Sequence, residues 1–195
     1  MSDSMERGKR DIYVVLSQTS TFPSKLIKLY TRKPYAHASI AFDERLDEMY
    51  SFARRGIWNP FNAGFIKENI RTGIFGRNVN TVCVIYRLSV TDEQYEKMRG
   101  IIDEFLSDSM SYSYNYLGVV GIAFNHPVTR SKKYFCSQFV AYVLKMSGIQ
   151  VSDKIPAAVR PCDIQKFDEF EQIYVGKLKD YPDYIDGRGC SCKTA

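Results

Sequence analysis

The sequence predicts a single α+β domain in which an antiparallel sheet packs against helices. Short runs of β-branched and aromatic residues alternate with segments of helical period, and turn residues separate them. The chain of 195 residues is 45% hydrophobic and 14% aromatic, which is enough apolar material for one sizeable core. We expect one domain over residues 1–195, with its core at about 11–178 and tails at 1–10 and 179–195.

Runs of β-branched and aromatic residues predict three strands in the first half of the chain, at residues 12–16, 37–42 and 49–54. The charged segment Asp43–Asp47 joins the last two, so we expect a hairpin there. Pro23 opens a helical segment that should end near Lys33, because Pro34 disfavours helix in the residue before it. Residues 55–80 have no sustained period and are expected to form a loop with short elements.

The second half of the chain predicts two more strands, at 81–88 and about 171–178, and three helices. The first helix starts at Thr91, which forms a capping-box pattern with Gln94. The second lies at about 114–124. The third begins near Cys136, where an apolar helical period starts, and Gly148 is its expected stop.

Charge and composition argue against several functional classes. The net charge of +5, from 27 Lys and Arg against 22 Asp and Glu, is mild, and the basic residues are scattered, so we do not expect nucleic-acid binding. No stretch approaches the ~18 to 20 apolar residues of a membrane span, and the N-terminus lacks the apolar segment of a signal peptide. Five cysteines without a CxxC pair favour a reducing compartment. We therefore expect a cytoplasmic protein with no transmembrane segment.

One thiol and one imidazole stand out as a candidate catalytic pair. Of only two histidines, His37 begins a predicted strand, whereas His126 lies in a predicted loop. Cys136 lies in the first turn of a predicted helix, where free backbone N–H groups and the helix dipole lower a thiol pKa and favour the thiolate. Lys132 and Lys133 add positive charge nearby. The simpler alternative for Cys136 is a small buried core residue.

The other four cysteines lack this setting. Cys83 is flanked by valines in a predicted buried strand, and Cys162 follows a proline with no base or clear helix start, so both are interpreted as structural. Cys190 and Cys192 lie in a glycine-rich tail and are expected to be exposed and mobile. No second cluster of cysteine or histidine with zinc-like spacing accompanies them, so we expect no metal site and no cofactor.

The candidate pair also carries a resemblance to a known family. The stretches Tyr35-Ala-His37-Ala-Ser-Ile-Ala-Phe and Tyr134-Phe-Cys136-Ser-Gln-Phe-Val resemble the permuted NlpC-type papain-like cysteine hydrolases, the YiiX-like group related to lecithin retinol acyltransferase. Histidine before cysteine is the order of the permuted group. Segment 24–32 is also similar, so the resemblance covers about residues 11–165. It implies a papain-like fold with a sheet or barrel packed against helices.

The resemblance implies a mechanism that the residues permit. His37 deprotonates Cys136, the thiolate attacks an amide or ester carbonyl, and a thioester acyl-enzyme forms. Water as acceptor gives an amidase or peptidase acting on a peptide, amide or acyl ester. The alternatives are an acyltransferase, a lipid deacylase and a catalytically silent binding module. The backbone N–H of Cys136 is the expected oxyanion donor, with Tyr134 as a further candidate that packing would explain equally well.

The third catalytic residue, which orients the imidazole, is expected on the strand that follows His37. If Asp43 faces Asp47 in the hairpin, Ser51 shares a face with His37, because side chains alternate with period two. A slip of one residue favours Glu48 instead, the only nearby acid on that strand. We therefore expect Ser51, with Glu48 as the alternative. Three aromatic residues are candidates for a cleft wall, although the core is the more common place for them: Trp58, Phe61 and Phe65.

Overall fold

The structure, a computed structural model, describes residues 8–18, 34–56, 59 and 62–191, without the side chains of 189–191. The strands are β1 (Lys9–Gln18), β2 (His37–Ala41), β3 (Met49–Arg54), β4 (Ala63–Glu68), β5 (Val82–Thr91), β6 (Ser113–Tyr114), β7 (Lys133–Tyr134) and β8 (Glu171–Lys177). The helices are α1 (Gly73–Arg77), α2 (Asp92–Ser107), α3 (Tyr116–Ala123), α4 (Cys136–Met146), α5 (Pro161–Ile164) and α6 (Tyr181–Ser191), with 3₁₀ turns at Pro156–Ala158 and Leu178–Asp180. The helix expected from Pro23 lies outside the described residues.

The main sheet has six strands in the order β4-β3-β2-β1-β5-β8, and neighbouring strands are antiparallel. The predicted α+β class with an antiparallel sheet is therefore confirmed. Strand β1 lies in the interior of the sheet with Ile12–Leu16 buried, which explains why this segment reads as a continuous apolar run and does not alternate. The short strands β6 and β7 form a separate parallel pair.

The hairpin between β2 and β3 has the register expected for Asp43 opposite Asp47. Ile40 pairs with Tyr50, which is the same alignment three residues further along the strands. The Asp43 carboxylate accepts hydrogen bonds from the backbone N–H groups of Asp47 at 3.1 Å and Glu48 at 2.6 Å. A side chain that satisfies turn amides in this way fixes the register, because it closes the turn at one length.

The segment expected to be loop, 55–80, contains an edge strand and a short helix. Strand β4 pairs with β3 from Arg54 opposite Ala63 to Met49 opposite Glu68. Its second residue, Gly64, weakens the strand signal in the sequence. The structure requires glycine there, because a Cβ at this position would lie 2.4 Å from a backbone carbonyl oxygen.

The sheet carries apolar clusters on both faces. One face packs against α2 and α4 through a core that is rich in phenylalanine and tyrosine, and the other packs against α1 and α6. The capping box that starts α2 is confirmed, since Gln94 N–H donates to the Thr91 hydroxyl at 3.2 Å and Thr91 N–H donates to the Gln94 side chain at 3.0 Å. Helix α4 ends before Gly148, which has a left-handed φ of 85°.

The C-terminal segment that the sequence suggests is a tail forms helix α6. Tyr181, its first residue, is buried and packs against Tyr174 of β8 with ring centroids 5.1 Å apart. Arg188 pairs with Glu44 in the turn between β2 and β3. No helix in the described ranges has the length and apolar character to span a membrane.

Candidate active site

Cys136 and His37 come together although they lie far apart in the sequence. Cys136 is the first residue of α4, and His37 is the first residue of β2, against which that helix packs. The sulfur lies 3.9 Å from the backbone oxygen of Ala36, and the thiol and the imidazole are close enough for each to shift the pKa of the other. Cys136 is 1% exposed and His37 7% exposed. Neighbouring side chains must therefore move before a substrate touches the sulfur.

The imidazole of His37 is held by a buried carboxylate. Its Nε2 lies 3.0 Å from Glu68 Oε1, and Glu68 is 7% exposed. The Ser39 hydroxyl donates to the other oxygen of Glu68 and lies 3.3 Å from His37 Nε2. Since Nε2 is engaged by these groups, Nδ1 is the ring nitrogen left for the thiol. The result is a line of cysteine, histidine and glutamate.

The electrostatics favour charge separation in this line. Burial raises the pKa of the Cys136 thiol, but the hydrogen bond to His37, the imidazolium charge and the backbone amides of Ala38 and Ser137 outweigh it and lower the pKa. Burial lowers the pKa of His37, but the charge of Glu68 and the hydrogen bonds to Cys136 and Glu68 outweigh it and raise the pKa. The two groups therefore favour a thiolate beside an imidazolium.

Glu68 is ionised in this arrangement. Burial alone raises its pKa, but the charge of His37 and hydrogen bonding from His37 and Ser39 lower it overall. A carboxylate that is compensated in this way can remain charged in the interior. It stabilises the imidazolium and fixes the ring orientation.

Tyr114 is a further residue at the thiol, and the sequence analysis missed it. Its hydroxyl is close enough to Cys136 for the thiol to raise the Tyr114 pKa. Burial and the negative charge of Cys136 raise the Tyr114 pKa, so the hydroxyl stays protonated and can donate. The pairing of β6 with β7 places Tyr114 beside Tyr134, two residues before the thiol. The tyrosine-rich segment 112–116 is the only sequence signal for it.

Tyr134, the oxyanion candidate from the sequence, lies in the aromatic core. Its ring packs against Phe52, Phe105 and Tyr142 at centroid distances of 5.3, 5.4 and 5.4 Å. Burial raises its pKa to about 12. Phe65 is buried in the same cluster, whereas Trp58 and Phe61 lie outside the described residues. Packing therefore accounts for the position of Tyr134.

Neither of the two residues expected to orient His37 forms a hydrogen bond with it in the described part of the chain. Ser51 is buried on the expected face, but its hydroxyl makes no hydrogen bond within the described ranges. Glu48 instead pairs with Arg99 at 2.6 Å. Glu68 takes the orienting position because β4, which the sequence analysis treated as loop, runs beside β3. Recognition of 63–68 as a strand would have made Glu68 a candidate.

The remaining candidates lie elsewhere. Cys83 is buried in β5, and burial raises its pKa to about 12. Lys132 pairs with Asp108 at 2.7 Å, and the exposed His126 contacts the backbone oxygen of Phe124. Cys190 lies in α6, where its side chain is not described, and Cys192 lies outside the described residues. Within the ranges that the structure describes, no group of three or more histidine, cysteine or acidic side chains could hold a metal ion.

No family model matches the sequence, and no match is found among curated proteins.

Proposed function

We propose that the chain is a cysteine hydrolase, an amidase or peptidase of the permuted NlpC-type papain-like class, that acts through a thioester acyl-enzyme. The observation that carries this proposal is the placement of the His37 imidazole between the Glu68 carboxylate and the Cys136 thiol. A nucleophile, a base and a group that orients the base are the parts that covalent acyl transfer needs.

The first half of the reaction uses the thiolate and the imidazolium. The Cys136 sulfur attacks the carbonyl carbon of an amide or ester, a C–S bond forms, and the carbonyl oxygen becomes an oxyanion. His37 then gives its proton to the leaving nitrogen or oxygen as the C–N or C–O bond breaks. Glu68 stays ionised throughout and holds the ring in place.

The second half returns the enzyme to its starting state. Neutral His37 takes a proton from water, the resulting hydroxide attacks the thioester carbon, and the C–S bond breaks to release a carboxylic acid and the thiolate. An amine or alcohol in place of water gives acyl transfer by the same steps.

Two donors are available for the oxyanion. The backbone N–H of Cys136 is at the start of the eleven-residue helix α4, where intrahelical acceptors are absent. The Tyr114 hydroxyl on β6 is close to the same cysteine. Preorganised donors at the site of developing charge are the largest contribution to many acyl-transfer reactions.

The permuted class is supported by chain order and by the elements that bear the residues. Histidine precedes cysteine, the histidine lies on a strand of an antiparallel sheet, and the cysteine begins a helix that packs against that strand. The sequence motifs around His37 and Cys136 resemble the same group.

The experiment that tests the proposal traps the acyl-enzyme. We expect 4-nitrophenyl acetate to add one acetyl group to the Cys136 peptide, as measured by mass spectrometry, with a matching release of nitrophenol. Hydroxylamine should remove the group, because it cleaves thioesters. The adduct should be absent in Cys136→Ala and retained in Cys83→Ala. An unmodified Cys136 peptide, or equal labelling of Cys136 in wild type and His37→Ala, contradicts the proposal.

A second candidate is acyl transfer or deacylation of a lipid, with the same dyad. The observation that favours it is an apolar, exposed face on α3, which begins two residues after Tyr114: Leu117, Val120 and the adjoining Phe124 are 56%, 42% and 72% exposed. Offering the acetylated enzyme water alone or water with an added amine or alcohol separates the two activities by the product formed.

A further inference from the structure

A cavity of about 260 Å³ opens beside Glu68, where β3 ends and β4 runs alongside it. Three basic side chains line it: Arg54, Arg55 and Lys67. Ile74 and Phe75 of α1 form part of the opposite wall. The volume is below the ~300 to 1,000 Å³ of pockets for drug-sized ligands, so it accommodates one small group and not a whole extended substrate.

The cavity carries excess positive charge. Among its described lining residues Glu68 is the only acid, and the imidazolium of His37 already balances that charge. Arg55 donates to the backbone oxygens of Ser109 and Tyr112, which are neutral, and so keeps its full charge. Arg54 and Lys67 form no ion pair within the described part of the chain.

Arg54 has an unsatisfied donor. Its Nε is buried and has no hydrogen-bond partner among the described residues. Buried polar groups in folded proteins are usually paired, and a guanidinium pairs best with a planar or tetrahedral anion through two parallel hydrogen bonds. Because Arg54 also lines the cavity, its positive charge favours an anion among the small groups that could fill it.

The cavity adjoins the proposed catalytic residues through Glu68, which lines it and contacts His37. Burial raises the pKa of the Tyr116 hydroxyl, and the positive charge of Arg54 acts on the same pKa in the opposite direction. The Tyr116 ring packs 4.9 Å from the ring of Tyr114, and the Tyr114 hydroxyl is close to Cys136. Glu68 connects the same cavity to His37. A group held in this cavity therefore lies beside the carboxylate that orients His37.

We propose that this cavity binds a carboxylate or phosphate group of the substrate, with Arg54 as its main partner. The proposed hydrolase would thus act on amides or esters that carry a small anionic group near the bond to be cleaved. This inference rests on the proposed function for its catalytic consequence, whereas the binding of the anion does not depend on catalysis.

Binding is tested in the absence of chemistry. Glutarate and inorganic phosphate are titrated by calorimetry into Cys136→Ala and into the double variant Cys136→Ala with Arg54→Gln. We expect one of these anions to bind, and its affinity to fall about tenfold or more without the Arg54 charge. The matched control is Cys136→Ala with Lys145→Gln, which removes an exposed charge from the far part of α4 and should bind as Cys136→Ala does.

The outcomes of this titration are decisive. Stronger binding of glutarate identifies a carboxylate site, and stronger binding of phosphate identifies a phosphate site. No binding of either anion, or equal binding with and without Arg54, overturns the inference. An unchanged melting curve verifies that the Arg54→Gln variant is folded. Arg54→Lys should recover part of the affinity because it restores the charge without the planar guanidinium.

Substrate selection is tested with two esters in the otherwise wild-type chain. The ratio of kcat/KM for mono-4-nitrophenyl glutarate to that for 4-nitrophenyl butyrate should fall about tenfold in Arg54→Gln and stay constant in Lys145→Gln. A ratio that does not depend on Arg54 contradicts a role in substrate choice. If neither ester acylates Cys136 while the anion still binds, the proposed hydrolase fails and the anion site remains.

Discussion

Cys136 and Cys83 are equally buried, with 1% and 0% of their surfaces exposed, yet their surroundings act on them in opposite ways. Cys83 lies in β5 among apolar neighbours, and burial raises its pKa to about 12. At Cys136 the same desolvation is outweighed by His37 and by the backbone amides of Ala38 and Ser137, so the pKa is lowered. Burial therefore makes a cysteine inert or reactive according to the partners that are buried with it.

The effect of His37 on Cys136 depends in turn on an anion beside the imidazolium. An imidazolium in the interior is costly unless an anion compensates it. Glu68 supplies that anion at 3.0 Å and is supported by Ser39. Burial is the one cause of the raised Cys83 pKa. Among the described residues, no imidazole or carboxylate contributes to it. The contrast can be tested by removing the partners of Cys136 in turn.

Removal of the base should have the largest effect. In His37→Ala, Cys136 keeps its burial and loses the imidazolium, so its pKa rises above the ordinary thiol value of about 8.5 and the thiolate at neutral pH falls by about 100-fold. We expect the rate of iodoacetamide alkylation, measured on the Cys136 peptide by mass spectrometry, to fall by a similar factor. His126→Ala, which removes the exposed histidine, is the control and should alkylate as wild type does.

Equal alkylation rates in wild type and His37→Ala would show that Cys136 is as ordinary a thiol as Cys83. The melting curve of His37→Ala distinguishes this outcome from a loss of fold, because an unfolded chain would expose Cys83 to alkylation as well.

Removal of the orienting carboxylate should have the next largest effect. Glu68→Gln takes away the negative charge that holds the His37 pKa up, so the imidazolium is less stable and the pKa of Cys136 rises with it. We expect the alkylation rate of Cys136 at pH 6 to fall about tenfold, with a smaller loss at higher pH. Glu48→Gln is the matched control, since Glu48 pairs with Arg99 and does not touch the imidazole. An effect of Glu48→Gln equal to that of Glu68→Gln would contradict the assignment.

Loss of a single hydroxyl should have a smaller effect. Ser39→Ala removes a hydrogen bond to Glu68, and we expect a fall of about threefold to tenfold in acylation rate with 4-nitrophenyl acetate. Ser51→Ala removes a hydroxyl with no hydrogen bond of standard geometry in the described structure, so its effect should be weaker. A larger loss in Ser51→Ala than in Ser39→Ala would restore Ser51 to the role that the sequence suggested for it.

The smallest effect on the reactivity of Cys136 is expected from removal of the other buried thiol, Cys83. Cys83→Ala should leave acylation of Cys136 unchanged and lower the free energy of unfolding by about 1 kcal/mol, because it removes one buried atom from the core. Urea unfolding measures the stability and 4-nitrophenol release measures the reactivity. A parallel loss of acylation in Cys83→Ala would indicate that the two cysteines are coupled.

The sequence predicted the positions of β2 and β3, the hairpin register and the start of α4 because local signals determine them. Asp43 closes its turn with its own carboxylate, and the apolar period after Cys136 marks the helix start. The residue that orients His37 was not predictable in this way. Glu68 reaches His37 only because β4 pairs with β3, a contact across the sheet that the weak strand signal around Gly64 conceals. Tyr114 depends likewise on a two-residue strand pairing.

The pH dependence of Cys136 alkylation tests the central claim, an ion pair between Cys136 and His37, most directly. The midpoint of the profile reports the thiol pKa and does not depend on how readily the reagent reaches a buried sulfur. The Cys136 pKa is lowered and the His37 pKa is raised. The thiolate therefore forms at a lower pH than in an ordinary thiol and persists as an ion pair through neutral pH. We predict a rise in rate centred well below pH 8.5, followed by a plateau. A single rise centred at or above about pH 8.5, the same in wild type and His37→Ala, would contradict the account.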